Sequence, residues 1–317
     1  MNNKLEPKRV YARALDPIHI GAGGYRLGRV DNTIVRDPAT DVPKIPGTSI
    51  AGVVRTFAEI VKEDDKKKEE KQKFRDVDIE SVFGSKPGEN KTEKGILQFY
   101  DGQIILFPVS SIQGTVWITT KELLGYWFGE IKDKNRENIK IPDEIGNEAY
   151  AIKGIDTDRK LNPREKNTDE YLNLGWLLLE VKKPEDGKEI ALPQKIDNWV
   201  KRIVVVSDKL FSHIVNDNLE VRTSVRIDPE TGTAAEGALF AYEAIPRGAV
   251  LGFEIGVDKA LAKQKDIDTD VVDKIISAVS PYLRNLGIGG MGTRGFGRLE
   301  IDLGNNNGNG GETDAQS

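Results

Sequence analysis

The stretch Leu27–Ala51, LGRVDNTIVRDPATDVPKIPGTSIA, is polar, rich in turn formers and punctuated by Gly and Pro, and it runs directly into a periodic apolar segment. Ile50, Val53, Val54, Phe57, Ile60 and Val61 fall at helical spacing, which predicts an amphipathic helix with Thr48 or Ser49 as its N-cap. A plain connection does not require Lys44, a Pro-Gly turn and two hydroxyl residues to converge where that helix begins. Lys44, the amides around Gly47, Thr48 and Ser49, and the positive end of the helix dipole together make a candidate anion site. An ordinary capped helix accounts for the same residues.

The far end of the chain holds a second candidate. Val271, Val272, Ile275, Ile276, Val279, Tyr282, Leu283 and Leu286 predict an amphipathic helix over about 269–286, followed by GIGGMGTRGFGRLEIDL at 287–303. Six Gly lie within 287–297, Gly289, Gly290 and Gly292 among them, with Arg294 inside the loop and Arg298 just after it. A tight helix-to-strand turn needs one or two Gly. The excess leaves backbone amides open to close approach by a phosphate, with an arginine to complete the contact. A Rossmann loop is excluded by order, because here the loop follows a helix and precedes a strand. Two phosphate sites in one domain suit one extended polyanion.

Between these ends the chain reads mainly as strands. VYARALDPIHIGAG (10–23) is a first strand that breaks at Gly21, Gly23 and Gly24, and 95–119 reads as two buried strands around a turn. PGTSIAG (46–52) and PVSSIQG (108–114) share Pro, Ser, Ile and Gly at the same spacing, a weak internal echo. WLLLEV (176–181) and RIVVVSD (202–208) are further strand candidates. From Glu220 the chain alternates, with Val221, Thr223, Val225 and Ile227 on one side and Arg222, Ser224 and Arg226 on the other. A DPETGT turn and a strand-like return over 236–257 complete a long hairpin, about 221–247, that presents arginines along one face. The expected fold is α+β, a ferredoxin-like or RRM-like sandwich over 1–303, with charged insertions at about 62–94 and 121–175 and a compositionally disordered tail, 304–317.

Composition bounds the chemistry. With 317 residues and 38% apolar content the chain can bury a substantial core. No run approaches the roughly 18 to 20 apolar residues that span a bilayer, and the N-terminus lacks the apolar core of a secretory signal, so a cytoplasmic protein is expected. There is no Cys, and His19 and His213 are the two His, which excludes disulfides, thiolate metal sites and a Cys nucleophile. Any metal would be held by carboxylates, which favours a hard ion such as Mg2+. The 46 basic and 51 acidic residues give a net charge of −5, an argument against general wrapping around nucleic acid that leaves room for a local basic groove. Charge runs such as KEDDKKKEEKQK at 62–73 read as solvated helix ends and loops.

IHIGAGG (18–24), VDNTIVRDPATDVPKIPGTSIAGVVR (30–55), ILFPVSSIQG (105–114), RTSVRIDPETGTAAEGALF (222–240) and LGIGGMGTRGFGRLEI (286–301), in that order, resemble the RAMP superfamily of CRISPR proteins. Within it they are most similar to the backbone subunits of the type III-B (Cmr) RNA-guided effector complex, a likeness that VFG at 82–84 and RIVVVSD also carry. The resemblance implies a RAMP fold whose hairpin is a thumb, and a subunit that stacks with copies of itself in a helical filament along a CRISPR guide RNA. It implies contacts to a complementary target RNA and to other subunits of the complex, with one base flipped out of the duplex by each thumb and target cleavage at six-nucleotide intervals. It places the cutting aspartate at Asp31, as catalytic residue and Mg2+ ligand. It places RNA-binding elements at Lys44, Gly47, Thr48, Ser49 and Arg55, at Arg222 and Arg226 of the thumb, and at Gly289, Gly290, Gly292, Arg294 and Arg298. His19 either contacts phosphate or closes the first strand.

The chain departs from the family where Lys is frequent in the S-x-K-G step, having Ala51 and, in the echo, Gln113. Two other classes remain open: a structural RNA-binding subunit without cleavage, and a metabolic enzyme using the glycine loops for a mononucleotide.

Overall fold

A computed structural model describes residues 6–23, 30–67, 77–86, 88, 92–156, 170–184, 187–227, 230 and 232–304. In chain order the elements are β1 (Lys8–Ala14), β2 (Lys44–Ile45), α1 (Gly47–Lys67), α2 (Ile79–Phe83), β3 (Leu97–Phe99), β4 (Gly102–Ser111), β5 (Gly114–Thr119), α3 (Lys121–Phe128), β6 (Ala149–Lys153) and β7 (Tyr171–Leu174). They continue with β8 (Leu177–Lys182), α4 (Gln194–Trp199), β9 (Ile203–Val205), α5 (Asp208–Asp217), β10 (Glu220–Ile227), β11 (Ala234–Ala244), β12 (Val250–Val257), α6 (Lys259–Gln264), α7 (Val271–Asn285) and β13 (Leu299–Leu303).

The two periodic helices and the strands around them make one unit. β1 pairs antiparallel with β12 on one side, Val10 opposite Phe253, and with β13 on the other, Val10 opposite Leu303. β12 also pairs antiparallel with β4, Leu251 opposite Ile104, which gives the order β13-β1-β12-β4. With α1 between β1 and β4, and α7 between β12 and β13, these six elements run β-α-β-β-α-β along the chain. Ile50, Val54 and Phe57 of α1 and Val272, Ile275, Ile276, Val279 and Leu283 of α7 share one core with Val10, Ala12, Leu251 and Leu299. Phe57 and Tyr282 stack at 5.5 Å between ring centres where the helices meet. Each buried Val, Leu, Ile or Phe among them contributes about 1.5–3 kcal/mol.

β4 joins this unit to a second. It pairs onward with β5, Phe107 opposite Ile118, and the sheet continues β5-β9-β6-β8-β7. The Gly175 amide, in the β7–β8 turn, donates to the Ser110 carbonyl at 2.8 Å and folds the far edge of the sheet back onto β4. A second core of Ile105, Leu106, Trp117, Leu124, Trp127, Ile152, Ile196 and Trp199 fills this half. Ile104 and Phe107 face the first core while Ile105 and Leu106 face the second. Burial on both faces is why β4 reads as an unbroken apolar run.

Two expectations need correction. The stretch 121–175, expected as a charged insertion more than core, contributes β6 and β7 to the sheet and the helix α3, and buries Leu124, Trp127, Ile139, Ile141, Ile152, Leu172 and Leu174. Its elements are eight, five and four residues long, too short to show a period among charged neighbours. The return strand over 236–257 is two strands, split at Pro246–Gly248, where Gly248 has φ 91° and donates its amide to the Ala14 carbonyl. β11 alone completes the hairpin with β10, and β12 lies inside the main sheet between β1 and β4. The charged run at 62–73 begins as the last turns of α1. Residues 68–76, the hairpin tip positions 228, 229 and 231, and the tail beyond Gly304 lie outside the described residues.

Candidate nucleic-acid interface

The base of the β10–β11 hairpin gathers three of the sequence motifs. Asp31 lies exposed on the segment that follows the glycine-rich break, and its Oδ2 accepts the Ala241 amide of β11 at 2.9 Å. The next residue continues the contact. The Asn32 amide donates to the Ala241 carbonyl at 3.1 Å, and the Glu243 amide donates to the Asn32 carbonyl at 3.0 Å. Hydrogen bonds to the main chain of β11 therefore fix where Asp31 sits relative to the hairpin, while its carboxylate stays on the solvent side.

His19 lies against the same strand. Its ring is buried, and Nδ1 is 2.7 Å from the Glu243 carbonyl, which fixes the proton on Nδ1 because a carbonyl only accepts. Any contact from this imidazole to a ligand would use Nε2. Tyr242 meets the His19 ring edge-on at 5.9 Å, stands opposite Arg222 in the hairpin, and accepts a hydrogen bond on its hydroxyl from Arg294 Nη1 at 2.8 Å. Arg222 in turn lies over the Phe296 ring at 4.8 Å. Arg222, Phe240 and Tyr242 share one hairpin face; Tyr242 is buried in it, which leaves the exposed Arg222 and Phe240 as the cation and ring suited to stacking against bases. Arg226 lies in β10, with its side chain outside the described residues.

The glycine loop divides into two parts. Gly287, Gly289 and Gly297 all have positive φ, and a Cβ on each would meet backbone: Gly297 carbon at 2.4 Å, the His19 carbonyl at 2.5 Å and the Ile288 carbonyl at 2.2 Å. These three serve packing, and the Gly290 amide adds a 2.9 Å bond to the His19 carbonyl. Gly292 and Gly295 have no such neighbour: the closest atom to a Cβ on Gly292 is 3.7 Å away, and Gly295 has none within 4 Å. The open part of the loop lies next to exposed Arg294. Arg298 forks onto Asp16, with Nη2 at 3.1 Å, and this bond holds the Asp16 carboxyl below the usual carboxylate range.

The α1 N-terminus differs from expectation. Neither Thr48 nor Ser49 is the N-cap: the helix begins at Gly47, and the cap is the distant Asp101, whose Oδ1 accepts the Gly47 amide at 2.8 Å. Lys44 Nζ lies 2.7 Å from Asp101 Oδ2 and 3.7 Å from Asp37. A carboxylate of the protein itself thus occupies the position that the sequence suggested for a phosphate. Gly47 is required there because a Cβ would lie 2.3 Å from the Phe99 carbonyl. Thr48 is exposed and Ser49 half-buried at the open first turn, and Arg55 pairs with Glu59 along the helix at 3.1 Å. Around Lys44, Asp37, Asp101, Glu122, Asp208 and Tyr126 line a cleft of about 520 Å³.

Among the described residues no three His, Asp or Glu side chains converge on a common point, so a divalent ion finds no closed cage of protein ligands. Sequence reasoning missed Asp101, Arg36, Tyr242 and Glu243. No local signal marks Asp101 or Glu243, whose partners lie far away in the chain. The alternation that singled out Arg222 extends to Tyr242 once the hairpin register is known. Among the described residues no helix is long and apolar enough to cross a membrane.

A family model described as the RAMP superfamily matches residues 11–300. The chain is 28% identical to the CRISPR system Cmr endoribonuclease Cmr4 of Pyrococcus furiosus over 94% of this chain and 95% of that one. Among solved structures it resembles a chain of the type III-B Cmr-beta complex bound to cognate target RNA, with a TM-score of 0.66, 19% identity and coverage of 94% and 98%. It also resembles oligomeric Cmr4 from Pyrococcus furiosus, with a TM-score of 0.59, 21% identity and coverage of 96% and 100%. At these identities the structural likeness is one of fold.

Proposed function

The chain belongs to the RAMP superfamily, and from that premise we propose that it is a guide-RNA-binding backbone subunit of a type III-B CRISPR effector complex that cleaves guide-complementary target RNA. The observation that carries the proposal is the exposed Asp31 carboxylate, latched to the base of a hairpin whose arginine and aromatic face suits RNA. The name of the Pyrococcus furiosus relative, an endoribonuclease, and the solved Cmr assemblies of similar fold support it. Copies of the chain stack along the guide in the cytoplasm, with other subunits of the complex at the filament ends.

In this reading the guide backbone follows the loop edge that is open at Gly292 and Gly295, with Arg294 and Arg298, and reaches the α1 start at Lys44, Gly47, Thr48, Ser49 and Arg55. The thumb, with Arg222 and Arg226, enters the guide–target duplex. Asp31 accepts the proton of a target 2'-hydroxyl, whose oxygen attacks the adjacent phosphorus. The bond to the 5'-oxygen breaks and that oxygen takes a proton from water, leaving a cyclic phosphate on one fragment and a 5'-hydroxyl on the other. DNA lacks the attacking group and is spared. A divalent ion such as Mg2+, held by Asp31 with RNA phosphates and water as its remaining ligands, would offset the charge that develops on phosphate. Sequence choice is left to base pairing.

The test is cleavage of labelled complementary RNA by the reconstituted complex in magnesium, wild type against Asp31→Ala at equal RNA binding. A ladder at six-nucleotide spacing that vanishes in the variant is the expected result. A ladder that survives removes Asp31 from the chemistry. Binding without a ladder in either protein leaves a structural subunit, the reading that the lone carboxylate would then favour.

A further inference from the structure

The segment that presents Asp31 is anchored by a nearly desolvated ion pair five residues downstream, and we propose that Arg36 is a positioning residue for Asp31, acting through Glu243 and Asn216. This rests on the catalytic reading of Asp31. The Arg36 and Glu243 side chains are 15% and 11% exposed, and Arg36 Nη2 lies 2.6 Å from Glu243 Oε1. The guanidinium serves three elements at once. Nη2 reaches β11, Nη1 donates to the Ile34 carbonyl of its own segment at 3.2 Å, and Nε donates to Asn216 Oδ1 on α5 at 3.1 Å. Glu243 uses its other oxygen, Oε2, to accept the Ile34 amide at 3.2 Å. Asn216 Nδ2 closes the circuit on the Asp41 carbonyl at 3.1 Å, beside Ser212 Oγ on the Thr40 carbonyl at 2.6 Å.

The consequence is geometric. Glu243 holds Ile34 through its side chain and Asn32 through its amide, while Ala241, two residues earlier on the same strand, holds Asp31. Glu243 therefore sets the register between the Asp31 segment and the hairpin that would deliver target RNA, and Arg36 locks Glu243 against α5. A buried ion pair adds little net stability compared with apolar residues of the same volume, so register is the better account of its presence. Lysine cannot replace it, because an ammonium lacks the planar fork that reaches three directions.

The experiment measures single-turnover cleavage at saturating target, and target Kd, in the guide-loaded complex with Arg36→Lys, Asn216→Ala and Asp31→Ala. Arg36→Lys keeps a cation beside Glu243 and loses the other arms. It is expected to cleave about tenfold or more slowly with Kd unchanged within about twofold, as misplacement of a reacting group by an ångström or less does. Asn216→Ala, which leaves the ion pair intact, is expected to show a smaller loss of the same kind. Should Arg36→Lys not fold, Asn216→Ala alone carries the test. Wild-type rates in both variants, or a loss seen in Kd with the saturated rate intact, overturn the proposal. Wild-type cleavage by Asp31→Ala instead overturns the catalytic assignment beneath it, whatever the Arg36 variants do.

Discussion

Lys44 Nζ lies 2.7 Å from Asp101 Oδ2, and the other oxygen of the same carboxylate caps α1 through the Gly47 amide. The folded chain thus holds a built-in anion where the proposed RNA path meets the helix dipole. On the proposed path the carboxylate and an RNA phosphate would compete for the same two donors.

Opposite effects on RNA binding follow. Asp101→Asn keeps a cap acceptor but removes the competing charge, and is expected to tighten guide RNA binding at fixed salt. Lys44→Ala is expected to weaken it and to reduce the slope of log K against log salt by about 1. Fluorescence titration over a range of salt concentrations checks both. Equal slopes for Lys44→Ala and wild type would remove Lys44 from the RNA path.

The same pair predicts a pH dependence. Lys44's hydrogen bond, followed by the Gly47 amide, holds the Asp101 carboxyl below its ordinary range. A depressed folded value means that the stabilisation is present above the unfolded value and is lost as pH falls through the folded one. Donating to Asp101 also raises the Lys44 ammonium, whose contribution is present below its unfolded value and lost as pH rises through the folded one. Because Asp101 is 44% exposed, Asp101→Ala should cost only about 1 kcal/mol at pH 7. The difference in Tm from wild type should hold through neutral pH, then close below about pH 4 and above about pH 10.4.

The two parts of the glycine loop separate by substitution. Gly289 has φ 87°, and a Cβ there would lie 2.5 Å from the His19 carbonyl, so Gly289→Ala should cost about 2 kcal/mol or more in thermal melts. Gly292→Ala meets no atom closer than 3.7 Å and should alter stability by less than about 0.5 kcal/mol. A methyl on this open edge should still weaken RNA binding. An unchanged Kd would place the phosphate elsewhere.

For Asp31 the informative substitution is asparagine, which retains an oxygen for the Ala241 amide and loses the base. Asp31→Asn should leave target Kd unchanged and slow cleavage by about 10²–10⁴-fold, the range that general base catalysis contributes. Single-turnover assays resolve the two. Full activity in the variant would mean that position, and not proton transfer, is all that Asp31 supplies.

How far the fold and the site could be read from sequence depended on the range of the interactions involved. α1 and α7 were legible because their apolar stripes repeat over many turns. β10 was legible because Arg222, Ser224 and Arg226 alternate against Val221, Thr223 and Val225. Lys44 and the 287–297 loop stood out as local patterns, whereas Asp31 was singled out only by the family resemblance, which supplied the proposed roles of all three. α3, β6 and β7 were hidden, since elements of four to eight residues show no period amid charge.

By itself, the sequence determined the α+β class, the two amphipathic helices, the hairpin and the family. The tertiary structure alone decided that Asp101, not Thr48 or Ser49, caps α1. It alone decided that three of the six loop glycines make room for neighbouring backbone and that Arg36 meets Glu243 from 207 residues away. Capping by a distant carboxylate, steric room for a Cβ and burial of an ion pair are properties of what packs against a residue. No spacing along the chain records them.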